Sequence, residues 1–226
     1  MQRSSCFCGY MIQLNNSAIV VAHPDDEVLW FGSVVDKVSR VIVCYGPNPA
    51  KPERAFQRLS VANAYPLSSL VFLNLTEPKH SGWFRHESGQ RDELASRLSP
   101  ALDGITTVFT HNAWGEYGHP DHLLLHAVVN DLQSSIGFEV FHSCYVELRK
   151  LDVLRSVVDK AMLDFLSASV DPTAIDPIVR LYKQHKCWTW YDDWVWPSTE
   201  HFIRSSKAGI ACPKAIPFIV FKMIGR

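Results

Sequence analysis

Two short stretches carry the residues best suited to chemistry: AHPDDE at 22–27 and GHPDHLLLH at 118–126. Each contains His-Pro-Asp, and each lies between an apolar run and a helix-like segment. His23 and Asp26 are three apart, so a turn can bring both onto one ion, and His122 can join them from the second stretch. Two imidazoles and one carboxylate make a common catalytic zinc shell, with a position left open for water. Asp25 and His119 are then the other polar members of the two motifs. A metal hydrolase needs a base for its water and an acid for its leaving group. The competing reading makes Asp25 and Asp26 helix caps and the histidines satisfied loop residues.

These motifs need elements to hold them. Predicted strands at 17–22, 40–46, 69–75, 106–112 and 138–146 alternate with predicted helices at 27–38, 52–65, 91–102 and 120–132. The strands are continuous apolar runs, as buried parallel strands are. Their alternation with helices implies right-handed βαβ units and an α/β fold: a Rossmann-like, mostly parallel sheet flanked by helices. Both His-Pro-Asp motifs fall at the carboxyl end of a predicted strand, the edge where open α/β sheets bind ligands. Proline suits the first turn of a helix and biases the preceding residue toward extended backbone. Each proline therefore holds its histidine at a strand end and its aspartate at a helix start. No G-x-G-x-x-G follows the first strand, so a dinucleotide site is not expected.

After residue 150 the pattern changes to two helix-like segments, an aromatic patch (CWTWYDDWVWP, 187–197) and a last strand-sized run, AIPFIVF at 216–222. This reads as a variable helical and aromatic C-terminal part of one domain spanning 11–226. Residues 1–10 read as a flexible extension, with Met11 as an alternative start.

The composition, 47% hydrophobic and 20% charged over 226 residues, is that of a soluble globular protein. A net charge of −1 and the absence of a basic block exclude nucleic acid as the expected partner. No stretch suits a signal peptide and no run approaches the ~18 apolar residues of a membrane span, so a cytoplasmic protein is expected. The six cysteines are scattered without a C-x-x-C pair and read as reduced thiols, Cys44 and Cys144 as core residues. These totals are compatible with a homo-oligomer.

AHPDDE together with WGEYGHPDH (114–122) resembles the zinc-dependent N-acetylglucosaminyl deacetylases of the PIG-L/LmbE type, over roughly residues 16–130. The resemblance implies a hydrolase that removes the acetyl group from an N-acetylglucosamine-type amino sugar or its glycan or small-molecule conjugate. It implies Zn2+, or Fe2+ on the same ligands, held by His23, Asp26 and His122. It makes Asp25 the general base and His119 the acid, places Tyr117 near the carbonyl oxygen, and has Asp121 orient His119. The chain departs from the family where a glycine-rich helix is replaced by LWFGS, so that Trp30 and Phe31 narrow the floor of the site. It also departs where Arg-x-x-Glu becomes Arg54-x-x-Gln57, with Arg54 still a candidate substrate contact.

Other residues carry two readings each. Glu27 is either a supporting carboxylate or a dipole-favoured first-turn residue. His126, one turn from His122, would make a two-histidine pair without the glutamate of H-E-x-x-H. His111 and Asn112 line the mouth or simply end a strand, and His80 and His86 flank a loop over the same edge. Trp188, Trp190, Trp194 and Trp196 would share one face of a strand, either packed as core or stacking a sugar. Outside the deacetylase reading stand a zinc amidase on a non-sugar N-acyl compound and a silent carbohydrate-binding protein. The intact Asp25 and His119 argue against the latter.

Overall fold

A computed structural model describes residues 14–46, 53–67, 70–77, 89–145 and 165–205. Seven strands form one sheet: β1 (Ser17–Val21), β2 (Arg40–Tyr45), β3 (Leu70–Leu75), β4 (Thr107–Thr110), β5 (Glu139–Ser143), β6 (Phe165–Ser169) and β7 (Thr199–Arg204). Their order is β3-β2-β1-β4-β5-β7-β6. The first five run parallel, with Ile19 opposite both Val41 and Phe109. β7 is antiparallel to both β5 and β6. The helices are α1 (Asp26–Trp30), α2 (Glu53–Ala64), α3 (Gln90–Ala101), α4 (Gly115–Gly118), α5 (Pro120–Ile136) and α6 (Pro172–Gln184).

Side chains alternate across a strand, so each strand feeds two cores. Ile19, Val21, Val41, Val43, Phe109 and Phe141 pack on one face with residues of α1, α2 and α6. Ala18, Val20, Ile42, Cys44, Val108 and Val140 pack on the other with residues of α3 and α5. Covering both faces explains why β1 is buried at every position and why its sequence, SAIVV, does not alternate. α5 is stopped at both ends by local chemistry. His119 caps its start with Pro120 at its first position, and Gly137 closes it at φ 94°.

The expected α/β fold and five of its strands are present. Three expectations are corrected. The predicted helix at 27–38 ends at Trp30, and 32–37 are turns. There the chain dips beneath α6: a Cβ on Gly32 would lie 3.1 Å from the Val28 carbonyl oxygen and 3.2 Å from Ile175. The buried Glu200 carboxylate, on β7, accepts from the Gly32 N–H (3.2 Å), the Ser33 N–H (2.9 Å) and the Ser33 hydroxyl (2.6 Å). A distant acceptor thus takes over donors that a longer helix would have satisfied internally. Second, the pattern expected after residue 150 held no strand before the aromatic patch, yet 165–169 form one, paired antiparallel with β7. Third, 187–197 are not a strand; they run irregularly with a turn at Asp192–Asp193.

Glu200→Ala should strand three buried donors. An unsatisfied buried donor costs about 1–3 kcal/mol, so a loss of about 3 kcal/mol is expected in urea unfolding, with Glu200→Gln retaining most of the stability. Wild-type stability in Glu200→Ala would show that these donors are satisfied another way.

Cys44 and Cys187 are buried and Cys144 half-buried, all as free thiols. Among the described residues, no helix is long and apolar enough to cross a membrane. The Arg54 side chain, His80, His86, Cys6, Cys8, Met11, Cys212 and the run 216–222 lie outside the described residues.

Candidate active site

The chain moves from β1 outward through β2 and β3, then returns to place β4 on the other side of β1. The gap between the carboxyl ends of β1 and β4 is therefore the point where strand order reverses, the preferred ligand crevice of open α/β sheets. The first motif leaves β1 into this gap, and the second follows β4 by way of α4 and opens α5.

In the first motif a tight turn brings His23 and Asp26 together. The His23 backbone N–H donates to Asp26 Oδ2 at 2.8 Å, and His23 Nδ1 lies 3.4 Å from the same oxygen. The indole N–H of Trp30, one helical turn on, donates to Asp26 Oδ1 at 3.1 Å. Trp30 thus helps to hold Asp26 in place. Asp25 between them adopts φ 87°, a left-handed conformation uncommon outside glycine and typical of functional turns. Its Oδ2 accepts from both the backbone N–H (2.6 Å) and the hydroxyl (2.8 Å) of Thr189, while its buried Oδ1 has no hydrogen-bond partner. Burial, followed by the neighbouring Asp26 charge, raises the Asp25 pKa well above the usual carboxylate range.

In the second motif Glu116 is the hub. It is fully buried at φ 54°, between Gly115 (φ 62°) and Gly118 (φ 96°). Its carboxylate accepts from His122 Nδ1 (2.7 Å), His111 Nδ1 (3.0 Å), the Asn112 N–H (3.2 Å) and the Ser143 hydroxyl. Asn112 Oδ1 in turn accepts from the N–H groups of Trp114 (3.1 Å) and Glu116 (2.9 Å), which holds the strained turn. Burial works to raise the Glu116 pKa, but the charges of and bonds to His111 and His122 bring it far below the ordinary value.

With its Nδ1–H on Glu116, His122 turns its buried Nε2 toward Asp26 Oδ2 at 3.3 Å. Burial and His111 work against charge on the ring, but Asp26 and Glu116 raise its pKa, so a proton or a metal ion between the two atoms satisfies both. In a tetrahedral shell with bonds of about 2.0–2.1 Å, neighbouring ligand atoms lie about 3.3–3.4 Å apart, so the spacing fits a metal. Among the described residues two groups of three bring donor atoms within 4.8 Å of one another: His23, His119 and His122; and Asp26, His111 and His122. The expected trio of His23, Asp26 and His122 is thus divided between two groups that share His122. Hydrogen bonding narrows both groups. His111 Nε2 already accepts the Ala22 N–H (3.0 Å), and His119 Nδ1 accepts the Asp121 N–H (3.2 Å). His23 pairs its Nε2 with Asp121 Oδ2 (2.9 Å), which leaves Nδ1 for Asp26 and an ion. Burial lowers an imidazole pKa, yet His23 is held at about 9 by hydrogen bonds to Asp121 and Asp26. The surrounding carboxylates favour positive charge at this point.

Several expected roles change. The Asp121 carboxylate hydrogen-bonds His23 and lies 3.9 Å from His119 Nδ1. His119 caps α5, and capping turns its Nδ1 toward the helix's own N–H groups. His111 is fully buried beneath the site and does not line a mouth. Its carbonyl accepts from His126 Nδ1 (3.0 Å) and His142 Nδ1 (2.9 Å), so His126 supports β4 from outside both donor groups. Glu27 turns away from the motif to accept from Tyr65 (2.9 Å) and Tyr182 (2.6 Å), tying α1 to α2 and α6. Tyr117 is half-buried, its ring 5.5 Å from that of His122 and 5.7 Å from that of His119.

The four tryptophans do not share a face. Three of them lie against α1: Trp190 packs on Trp30 and on Tyr117, both at 5.1 Å, and Trp194 packs on Trp30 at 5.9 Å and on Tyr145 at 5.6 Å. The Trp196 indole donates to the Val28 carbonyl at 2.7 Å. Trp188 lies 5.4 Å from Lys183 Nζ, away from the donor cluster. Glu116 and Thr189 went unrecognised in the sequence. The flanking glycines were the available sign for Glu116. Thr189 had none, because its partner is 164 residues away.

Glu116→Gln should keep the shape and lose the charge behind His122. Removing such a supporting carboxylate typically costs about 10–100-fold in metal affinity. Competition with a zinc chelator checks this, and unchanged affinity would remove Glu116 from the support of the site.

No protein-family model and no curated protein matches this chain. Solved structures do. A deacetylase triple mutant from the teicoplanin biosynthetic pathway aligns with TM-score 0.54 at 14% identity, covering 84% of this chain and 99% of that one. The zinc-inhibited form of teicoplanin deacetylase Orf2 aligns with TM-score 0.54 at 13% identity, covering 83% and 97%. The pseudoaglycone deacetylase Dbv21 aligns with TM-score 0.52 at 14% identity, covering 77% and 82%. At such identity the likeness is one of fold.

Proposed function

We propose that this chain is a metal-dependent N-deacetylase that hydrolyses the N-acetyl amide of an N-acetylglucosamine-type amino sugar or its conjugate, giving acetate and a free amine. The observation that carries the reading is the buried, unpartnered His122 Nε2 facing Asp26 Oδ2 at 3.3 Å, beside a second aspartate with one bare oxygen. The deacetylases that share the fold support it. The amino sugar itself rests on the motif resemblance.

His23 Nδ1, Asp26 Oδ2 and His122 Nε2 would hold the ion, zinc or ferrous iron. When bound, such an ion acidifies water and polarises the amide carbonyl. Asp25 accepts the proton of the attacking water on Oδ1, since Oδ2 is occupied by Thr189. The same carboxyl then passes that proton to the departing amine. His119 acts differently from the expected acid. Burial, with His122 and His23 nearby, pushes it down to about 2, so the ring is neutral. Its Nδ1 accepts the Asp121 N–H, which puts the proton on Nε2. A neutral Nε2–H stabilises the developing oxyanion as a hydrogen-bond donor, with the half-buried Tyr117 beside it. Trp30 fixes Asp26, and Asp121 fixes His23, before substrate arrives.

Acetate release from a panel of N-acetylglucosamine conjugates, with metal measured on the same sample, tests the proposal. No acetate from any conjugate with fully zinc- or iron-loaded protein would sink it. Release from simple N-acyl amines alone would keep the chemistry and discard the sugar.

A further inference from the structure

The C-terminal aromatic segment reaches into the site at one residue. Thr189 donates both its backbone N–H (2.6 Å) and its hydroxyl (2.8 Å) to Asp25 Oδ2. Both bonds go to the same oxygen, and Oδ1 is left buried without a partner. The carboxylate is therefore held asymmetrically. Asp25 sits at φ 87° and its side chain makes no capping bond to α1, so the donors from the far end of the chain decide which oxygen is left without a partner. Thr189 is itself anchored on both sides. Before it, the Cys187 N–H donates to the Tyr182 carbonyl at 2.8 Å. After it, Trp190 packs against Trp30 and Tyr117, and Trp196 donates to the Val28 carbonyl at 2.7 Å.

We propose that Thr189 is a positioning residue that clamps one oxygen of Asp25 and so aims the other at the reacting water. The inference rests on the reading of Asp25 as the base. It gives the aromatic segment a place in the chemistry: the tryptophans anchor the loop, and the threonine between them orients the base.

Thr189→Val removes the hydroxyl while keeping the shape and the backbone N–H. Its kcat on N-acetylglucosamine, or on the conjugate that the wild type turns over, should fall about tenfold, the worth of one hydrogen bond to a charged group. KM and zinc per chain should stay unchanged, and Thr189→Ser should restore kcat. Wild-type kcat in Thr189→Val, or a Thr189→Ser variant as slow as Thr189→Val, overturns the proposal. A second measurement does not depend on turnover. The Thr189 amide proton, read by NMR on 15N-threonine protein, should lie far downfield because its acceptor is a carboxyl oxygen only 2.6 Å away. Asp25→Asn should move it upfield. A resonance indifferent to that change shows that the clamp is absent, whatever the substrate. A shifted resonance in a protein that releases no acetate keeps the clamp and removes the deacetylase reading instead.

Discussion

His122→Ala is expected to abolish metal binding. His122 belongs to both groups of converging donors, and its Nε2 is buried with no hydrogen-bond partner. Its removal takes one donor from each group and leaves His23 and Asp26 of the expected three. His111 cannot substitute, since its Nε2 holds the Ala22 N–H and its Nδ1 the Glu116 carboxylate. The affinity loss should exceed the roughly 10–100-fold that follows removal of a supporting carboxylate. Elemental analysis after dialysis against a weak chelator, with thermal unfolding as a check on the fold, measures it. Full metal in a folded His122→Ala protein would refute the ligand set and direct attention to His119, whose ring lies 4.7 Å from that of His23.

Asp25→Asn should leave the metal in place and remove most of the turnover. Asparagine tolerates the left-handed backbone at this position and still offers Thr189 an acceptor, so the fold should survive. The amide cannot take a proton from water or return one to the amine. General acid–base groups are worth roughly 10²–10⁴-fold, and the upper part of that range is expected because Asp25 serves both steps. The measurement is kcat on metal-loaded protein with zinc quantified in the same tube. Near-normal turnover would transfer the base to another group. A parallel loss of zinc would show that Asp25 acts on the ligands rather than on the water.

The asymmetry between the two motifs follows from their supports. The first is organised locally: Asp26 is reached by the His23 N–H three residues earlier and by Trp30 four residues later. The second depends on β4 and β5 being adjacent, because Glu116 is held by Ser143 as well as by Asn112. Substitutions near Ser143 should therefore affect His122 sooner than His23.

Much was legible in the sequence for physical reasons. Continuous apolar runs identify strands buried on both faces, and their alternation with helices leads to a parallel sheet. Proline after each histidine places the first motif just past β1, but the second, expected at a strand end, lies at the start of α5 after α4. Residue types and spacing alone suggest two imidazoles, two carboxylates and a metal. Other features were decided only by the tertiary structure, because they are contacts between residues far apart in the chain. Glu200 satisfies the donors at Gly32 and Ser33 from β7 and so helps end a helix that periodicity alone would continue. Asp121 hydrogen-bonds His23, 98 residues away, while His119 caps α5. Tryptophans spaced as on a strand do not share a face, and Trp190 packs instead on Trp30 and Tyr117. The free oxygen of Asp25 is set by Thr189, and no local pattern near either residue encodes that pairing. Local periodicity and turn chemistry place a residue on an element, but which partner its polar atoms meet depends on how the elements pack.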